Sequence, residues 1–358
     1  MESKLTQDVG PLAAAASSFP LLVYDYEHGN PPEISQTVLS VADGSMRTIR
    51  VPEMCDYTCL ETQQGLMLMV DTASGSCWLW NPQTGEKTAL PSMNGELPYQ
   101  CRCLISDTTS SPPDSVSDDV DPPDSLVLVY DLTRPELLFC RIRGGAGWVK
   151  QSYDMGIEVP ATEKGPTPSG VISDMAAVQG AFYYSESRDV IGALFSFADD
   201  PEPRLELVTF DAPLPTLAVD APQLKATKSY LLESSRELFL VCLFYISSSI
   251  ERIEEVGAYV MDFSKKEWCK VTDIGDAAFL LGPGPGCFAA SCSAAEHGLK
   301  SGCVYLADDN NDLHIFDLKQ GTRELVRPTQ DIPALSRVPF WLVPGARPPA
   351  EPELFQLM

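Results

Sequence analysis

One unit recurs along this chain and constrains its fold more than any other feature. A short apolar strand, often opened by a Gly or a turn, is followed by a second strand. That strand runs into a polar turn with Asp, Asn or Gly and returns as a third. The apolar strands are Phe19–Tyr24, Gly65–Val70, Leu126–Asp131, Gly180–Tyr184, Leu238–Phe244 and Gly302–Leu306. Their turn-bearing partners are Val41–Val51, Leu79–Leu90, Phe139–Val149, Phe195–Val208, Tyr259–Val271 and Ile315–Val326. The units start near residues 20, 65, 126, 180, 238 and 302, about 45 to 64 residues apart. Turn-rich β repeats of about 40 to 50 residues mark propellers, and longer intervals are expected where loops are inserted. A lone four-stranded sheet buries neither face well. Stacking sheets around an axis covers both faces and leaves only short edges. The pattern predicts an all-β fold, a single β-propeller over residues 19–345 with about six four-stranded blades, seven being the alternative count.

Composition agrees and narrows the function classes. The 30 prolines and 24 glycines imply dense turns and argue against long helices. Hydrophobic residues make up 44% of the 358, enough for a sizeable core. The formal net charge of -25 argues against nucleic acid as a partner and against anionic membrane surfaces. The longest apolar run, Leu238–Ile246, is nine residues. A membrane-spanning helix needs about 20, so this run reads as a buried strand. Met1–Gly10 shows neither a secretory nor a mitochondrial pattern. Several of the eleven cysteines (Cys77, Cys140, Cys242, Cys303) sit in apolar runs and read as free thiols of a reducing compartment, cytoplasmic and/or nuclear.

Three segments read as lying outside the packed ring. Residues 1–18 and 346–358 form flexible ends. Asp107–Ser125 holds six Asp and four Pro, and no Lys or Arg occurs from Cys103 to Thr133, so it reads as a disordered acidic insertion that serves as a solvated spacer. A second loop, Glu158–Ser169, joins two blades.

No catalytic constellation stands out. His28 lies in a Gly/Asn/Pro turn, His297 in a polar loop and His314 within a strand pattern; none pairs locally at ligand spacing. No Gly-x-Ser-x-Gly elbow marks a nucleophile. Gly282-Pro-Gly-Pro-Gly286 lacks a following Lys-Ser/Thr, and its prolines remove the donors a phosphate cradle needs, so it reads as a rigid turn. Asp308–Asp312 lacks the Gly and the closing Glu of a calcium loop and reads as a tight strand connection. A zinc site from Cys55, Cys59, Cys101 and Cys103 is the alternative to buried free thiols, with spacings at or outside the usual range. Trp78 and Trp80 alternate onto one face, and Trp148 and Trp268 stand at equivalent strand ends; all four read as packing between blades. The expectation is therefore no catalytic, cofactor-binding or metal-binding residue. For an interaction surface the turns Arg141–Trp148, Asp199–Arg204 and Asp308–Asp312 are the candidates.

Five elements resemble a known family. Leu79–Pro91 is similar to a strand-NPxTG-strand-LP element. Leu137–Val149 is similar to a "cRpG…W" segment, and Tyr230–Val241 to a "YLVES…GELLLV" strand pair. Tyr259–Gly282 resembles a "vfklD…kkWvev.sLGd.alFlG" run, and Gly302–Asp308 resembles "nciYftdD". In this order, over about residues 19 to 325, they resemble the plant KIB-type kelch-like β-propeller family, the F-box-associated propellers. The resemblance implies a non-enzymatic propeller that recognises proteins, in many members behind an F-box that docks the Skp adaptor of a cullin ubiquitin ligase. Here the stretch before the first strand is shorter than an F-box, so Skp–cullin association is not expected. The alternative reading is a hydrolase-type enzyme with its site at the axial channel, and a chain without retained function is a third.

Overall fold

The computed structural model describes residues 19–28, 33–106, 125–143, 147–155, 170–187, 189–196, 205–215, 226–245, 253–284, 288–327 and 335–345. Six sheets, antiparallel but for one pair of strands in the last, follow one another along the chain as the six blades of a β-propeller. Blade I consists of Leu21–His28, Glu33–Ser40 and Met46–Ile49, with Phe340–Leu342 as its innermost strand. Blade II runs from Thr58–Glu61 outward to Lys87–Leu90, and blade III from Cys101–Ile105 to Val149–Ser152. Blade IV runs from Met175–Val178 to Leu205–Asp211, and blade V from Ala226–Ser234 to Glu267–Val271. Blade VI has five strands, because Ala277–Leu281 lies between the innermost strand Ala289–Ser293 and Cys303–Ala307, parallel to the latter.

The ring closes through the two ends of the described chain. Phe340–Leu342 pairs antiparallel with Leu21–Val23, with Leu21 opposite Leu342. Beyond it, Gly345 donates its N–H to Gln83 Oε1 at 2.8 Å and crosses Gly65 so closely that a Cβ there would stand 2.6 Å from the Gly345 nitrogen. With φ at +79°, Gly65 adopts a conformation that also favours glycine.

The core is divided among the seams between blades. Successive side chains of a strand point to opposite faces, so each strand supplies two seams. Leu22 and Tyr24 pack against blade VI, while Leu21 and Val23 pack against blade II. Six buried clusters result, one per seam. Burial on both faces explains why the middle strands, such as Leu126–Asp131 and Glu237–Tyr245, are apolar except for one terminal acid each.

The predicted architecture stands, with local corrections. In blade I the partner of Leu21–His28 is Glu33–Ser40, and Val41–Val51 supplies a turn and then the outer strand. Blade VI departs from the four-strand expectation by its added strand. The predicted flexible ends, residues 107–124 of the acidic insertion at 107–125 and the loop at 158–169 lie outside the described residues.

Candidate functional site

The inner strands leave one edge of backbone N–H and C=O groups facing the axis, and unpaired groups there must find partners. Side chains supply them. Gln63, just past the inner strand of blade II, donates through Nε2 to the Met175 carbonyl of blade IV at 3.0 Å and to the Leu231 carbonyl of blade V at 3.5 Å. Blade V lies across the ring from blade II, so this amide spans the axis. Gln64 Oε1 accepts from the Ile105 N–H of blade III at 3.3 Å. Asp174 Oδ2 accepts from the Leu231 N–H at 2.8 Å. Asp174 is buried, and that burial pushes its carboxyl well above the ordinary value. Its Oδ1, like Gln63 Oε1, has no partner among the described residues. The axis is therefore crossed by side chains.

Beside it, between blades I and II, sits a partly buried charge cluster. Arg337 Nε lies 2.5 Å from Asp25 Oδ2, and the guanidinium carbon stands 3.5 Å from the centre of the Phe340 ring. Arg337 Nη1 also donates to the Cys59 carbonyl at 3.4 Å. Glu61, from the neighbouring strand, pairs with Arg102 at 2.6 Å. Burial pushes the Asp25 carboxyl above its ordinary value, although Arg337 pulls it down. Nothing in the sequence marks this cluster, because its members lie far apart along the chain and meet only when the ring closes.

The alternation of strands sorts the turns onto two ends. Turns after an inner strand and turns before an outer strand share one end; turns between the second and third strands occupy the other. Arg141–Trp148 precedes an outer strand, while Asp308–Asp312 joins Cys303–Ala307 to Leu313–Asp317, the third and fourth strands of blade VI, which take the places of second and third in a four-stranded blade. Arg141–Trp148 and Asp308–Asp312 thus divide between opposite ends. Residues 144–146 and 197–204 lie outside the described residues. Trp148 donates its indole N–H to the Pro91 carbonyl of blade II at 2.8 Å and so serves packing.

Asp308–Asp312 is held from within. Asp308 Oδ1 accepts from the Asn310 and Asp312 N–H groups, each at 2.9 Å, and Oδ2 lies 2.8 Å from His314 Nε2. Arg323 approaches His314 Nδ1 at 2.6 Å; a guanidinium only donates, so Nδ1 accepts and Nε2 carries the proton toward Asp308. Burial opposes the Asp308 charge, but these donors prevail and hold its carboxyl below the ordinary value. The imidazole is therefore engaged on both nitrogens. His297 ends the short helix Ala294–His297, and the side chain of His28 is outside the described residues.

The four cysteines of the zinc alternative are not brought together. Cys59 packs in the seam between blades I and II, whereas Cys101 and Cys103 pack between II and III. Cys55 donates its thiol to the Ile34 carbonyl at 3.5 Å. Burial pushes the Cys101 thiol up to about 12. Among the described residues one trio of potential ligands, Asp262, Glu267 and Cys269, lies within 4.8 Å, at an exposed hairpin of blade V. There Asp262 already accepts from Ser264 at 2.6 Å and from Lys265 Nζ at 2.7 Å, which is turn chemistry.

A cavity of about 260 Å³ opens between blades VI and I. Leu39, Val41, Leu313, Ile315 and Val326 give it an apolar floor, and the ion-paired side chains of Lys300 and Glu324 stand at its rim. The Tyr305 hydroxyl accepts from the Lys300 N–H at 2.8 Å and orients that rim. None of these residues was singled out by sequence; the cavity exists only where the first and last blades meet.

Six radial sheets around an axis crossed by side chains define a β-propeller whose free surfaces are its two ends and its outer strands. The KIB1-4 beta-propeller family profile matches residues 38–317, most of the ring, and the chain belongs to that family. No curated protein matches. Among solved structures, BBS1N in complex with ARL6DN, soaked with lead, is 9% identical, with 87% of this chain and 78% of that chain covered and a TM-score of 0.31. Saccharomyces cerevisiae Sqt1 is 8% identical, with 64% of each chain covered and a TM-score of 0.28. Scores this low carry no argument about function.

Proposed function

We propose that this propeller is a protein-recognition module that performs no chemistry of its own. The observation that carries the reading is the occupied axis. Gln63 spans the place where an axial catalytic site would need room for substrate, and the buried carboxylates there, Asp25, Glu61 and Asp174, are bound to Arg337, Arg102 and the Leu231 N–H. A rigid ring of turns suits recognition of a polypeptide. Membership of the family supports this reading. The finer proposal is that the propeller selects a protein in the ubiquitin pathway of a plant cell, in the cytoplasm and/or nucleus. Ten free cysteines among the described residues fit a reducing compartment.

Affinity capture from plant extract tests the module. A specific protein recovered in replicate captures is the expected result; repeated captures that retain none overturn it. Co-purification with Skp and cullin decides the ligase connection separately. Turnover of a panel of ester and lactone substrates above the buffer rate would count against the non-enzymatic reading.

A further inference from the structure

We propose that the cavity between blades VI and I is the anchor pocket of this module, taking one bulky apolar side chain of a partner polypeptide that carries a basic residue next to it. The inference rests on the protein-recognition reading and names the partner chemistry.

Size is the first argument. Drug-sized ligands occupy cavities of about 300 to 1,000 Å³. At about 260 Å³ this one falls below that range and suits a single Leu, Phe or Trp side chain. Interfaces draw most of their affinity from a few such side chains set in pockets.

The walls are the second argument. Of the lining residues, Ala42, Gly44 and Gly298 are exposed and so stand at the mouth. A Cβ on Gly44 would meet nothing within 4 Å, and one on Gly298 would stand 3.6 Å from the Ala42 Cβ. Small residues on both blades therefore leave the entrance open above an apolar floor.

Charge is the third. The chain carries a net charge of -25, and Lys300, the lysine at the rim, is already paired with Glu324. Lys87, Lys150, Lys265, Lys270 and Lys319 are likewise paired with carboxylates on their own surface. Asp43 is exposed beside Ala42 and Gly44, and hydrogen bonds from Ser45 hold its carboxyl down at about 2. A basic residue flanking the anchor meets a complementary field, which favours its approach over that of an acidic one.

The test uses the full chain and three synthetic peptides, Gly-Lys-Phe-Lys-Gly, Gly-Glu-Phe-Glu-Gly and Gly-Lys-Ala-Lys-Gly. Binding is read by titration and by the Ile315 methyl resonance in the pocket floor. The basic Phe peptide is expected to shift Ile315 and to bind at least about tenfold more tightly than the other two, a gap of about 1.4 kcal/mol. Ala42→Phe, at an exposed position, fills the mouth and should weaken that peptide about tenfold while leaving the melting temperature in place. Should that variant perturb the fold, Glu324→Lys serves instead and should reverse the preference between basic and acidic peptides. Equal binding of all three peptides, no binding of the basic Phe peptide, or an unmoved Ile315 resonance overturns the proposal. A partner captured equally by wild type and Ala42→Phe overturns the pocket and leaves the recognition module standing. Failure of the wild type to capture any partner overturns the module, and the peptide titration still decides the pocket.

Discussion

Gln63 of blade II donates its side-chain amide to the carbonyl of Leu231 in blade V, on the far side of the ring. One side chain thereby satisfies strand edges that would otherwise face an open channel. Gln63→Ala removes this bond and the one to Met175 and leaves both carbonyls short of a donor. Stability measured by urea unfolding should fall by about 1 to 3 kcal/mol. An unchanged midpoint would mean that solvent serves those carbonyls equally well.

The Arg337–Asp25 pair predicts a large effect. Arg337→Met leaves the Asp25 carboxylate, itself 5% exposed, without its counter-charge. Removing one partner of a buried pair costs about 3 to 5 kcal/mol. The double variant Arg337→Met with Asp25→Asn should recover most of that loss. If the double variant is as unstable as the single one, the damage lies in packing around Phe340 and not in the orphaned charge.

Gly65 and Gly44 separate strain from collision. Their φ values, +79° and +67°, are alike, but a Cβ on Gly65 meets the Gly345 backbone while one on Gly44 meets nothing. Gly44→Ala should cost about 1 to 2 kcal/mol from its left-handed conformation alone. Gly65→Ala should cost about 1 to 3 kcal/mol more, from overpacking against the closing segment. Equal losses in thermal unfolding would show that the closing segment yields.

Asp174 sets a pH dependence. Burial raises its folded-state pKa well above 3.8. A carboxyl raised on folding gives stability that is present below the unfolded pKa and is lost as pH rises through the folded one. Asp174→Asn keeps an acceptor for the Leu231 N–H and removes the charge. The variant should gain on wild type as pH rises from the ordinary carboxyl range toward neutrality. A constant difference across that range would mean that Asp174 does not titrate there.

What could be read from the sequence follows from burial. Strands covered on both faces announce themselves: Leu126–Asp131 and Glu237–Tyr245 are almost wholly apolar. The inner strands were largely missed because one edge faces the axis and their residues are mixed, as in Thr58–Glu61 with its Thr, Cys, Leu and Glu. Phe340–Leu342 has three residues, and its partner lies at the other end of the chain, so no local pattern could reveal it. Turn positions were visible, but the end of the ring each occupies depends on strand order. Asp308–Asp312 reads equally well as a recognition loop or as a self-satisfied turn until the bonds to His314 and to its own backbone are seen. The axial amide, the Arg337 cluster and the seam cavity all join residues from distant blades, which periodicity cannot place.

The pairing of Phe340–Leu342 with Leu21–Val23 has a consequence for biosynthesis. The edge of Leu21–Val23 is translated before the innermost strand that covers it, because the strands of the five other blades lie between them in the chain. Only the arrival of Phe340–Leu342 lets the circle lock.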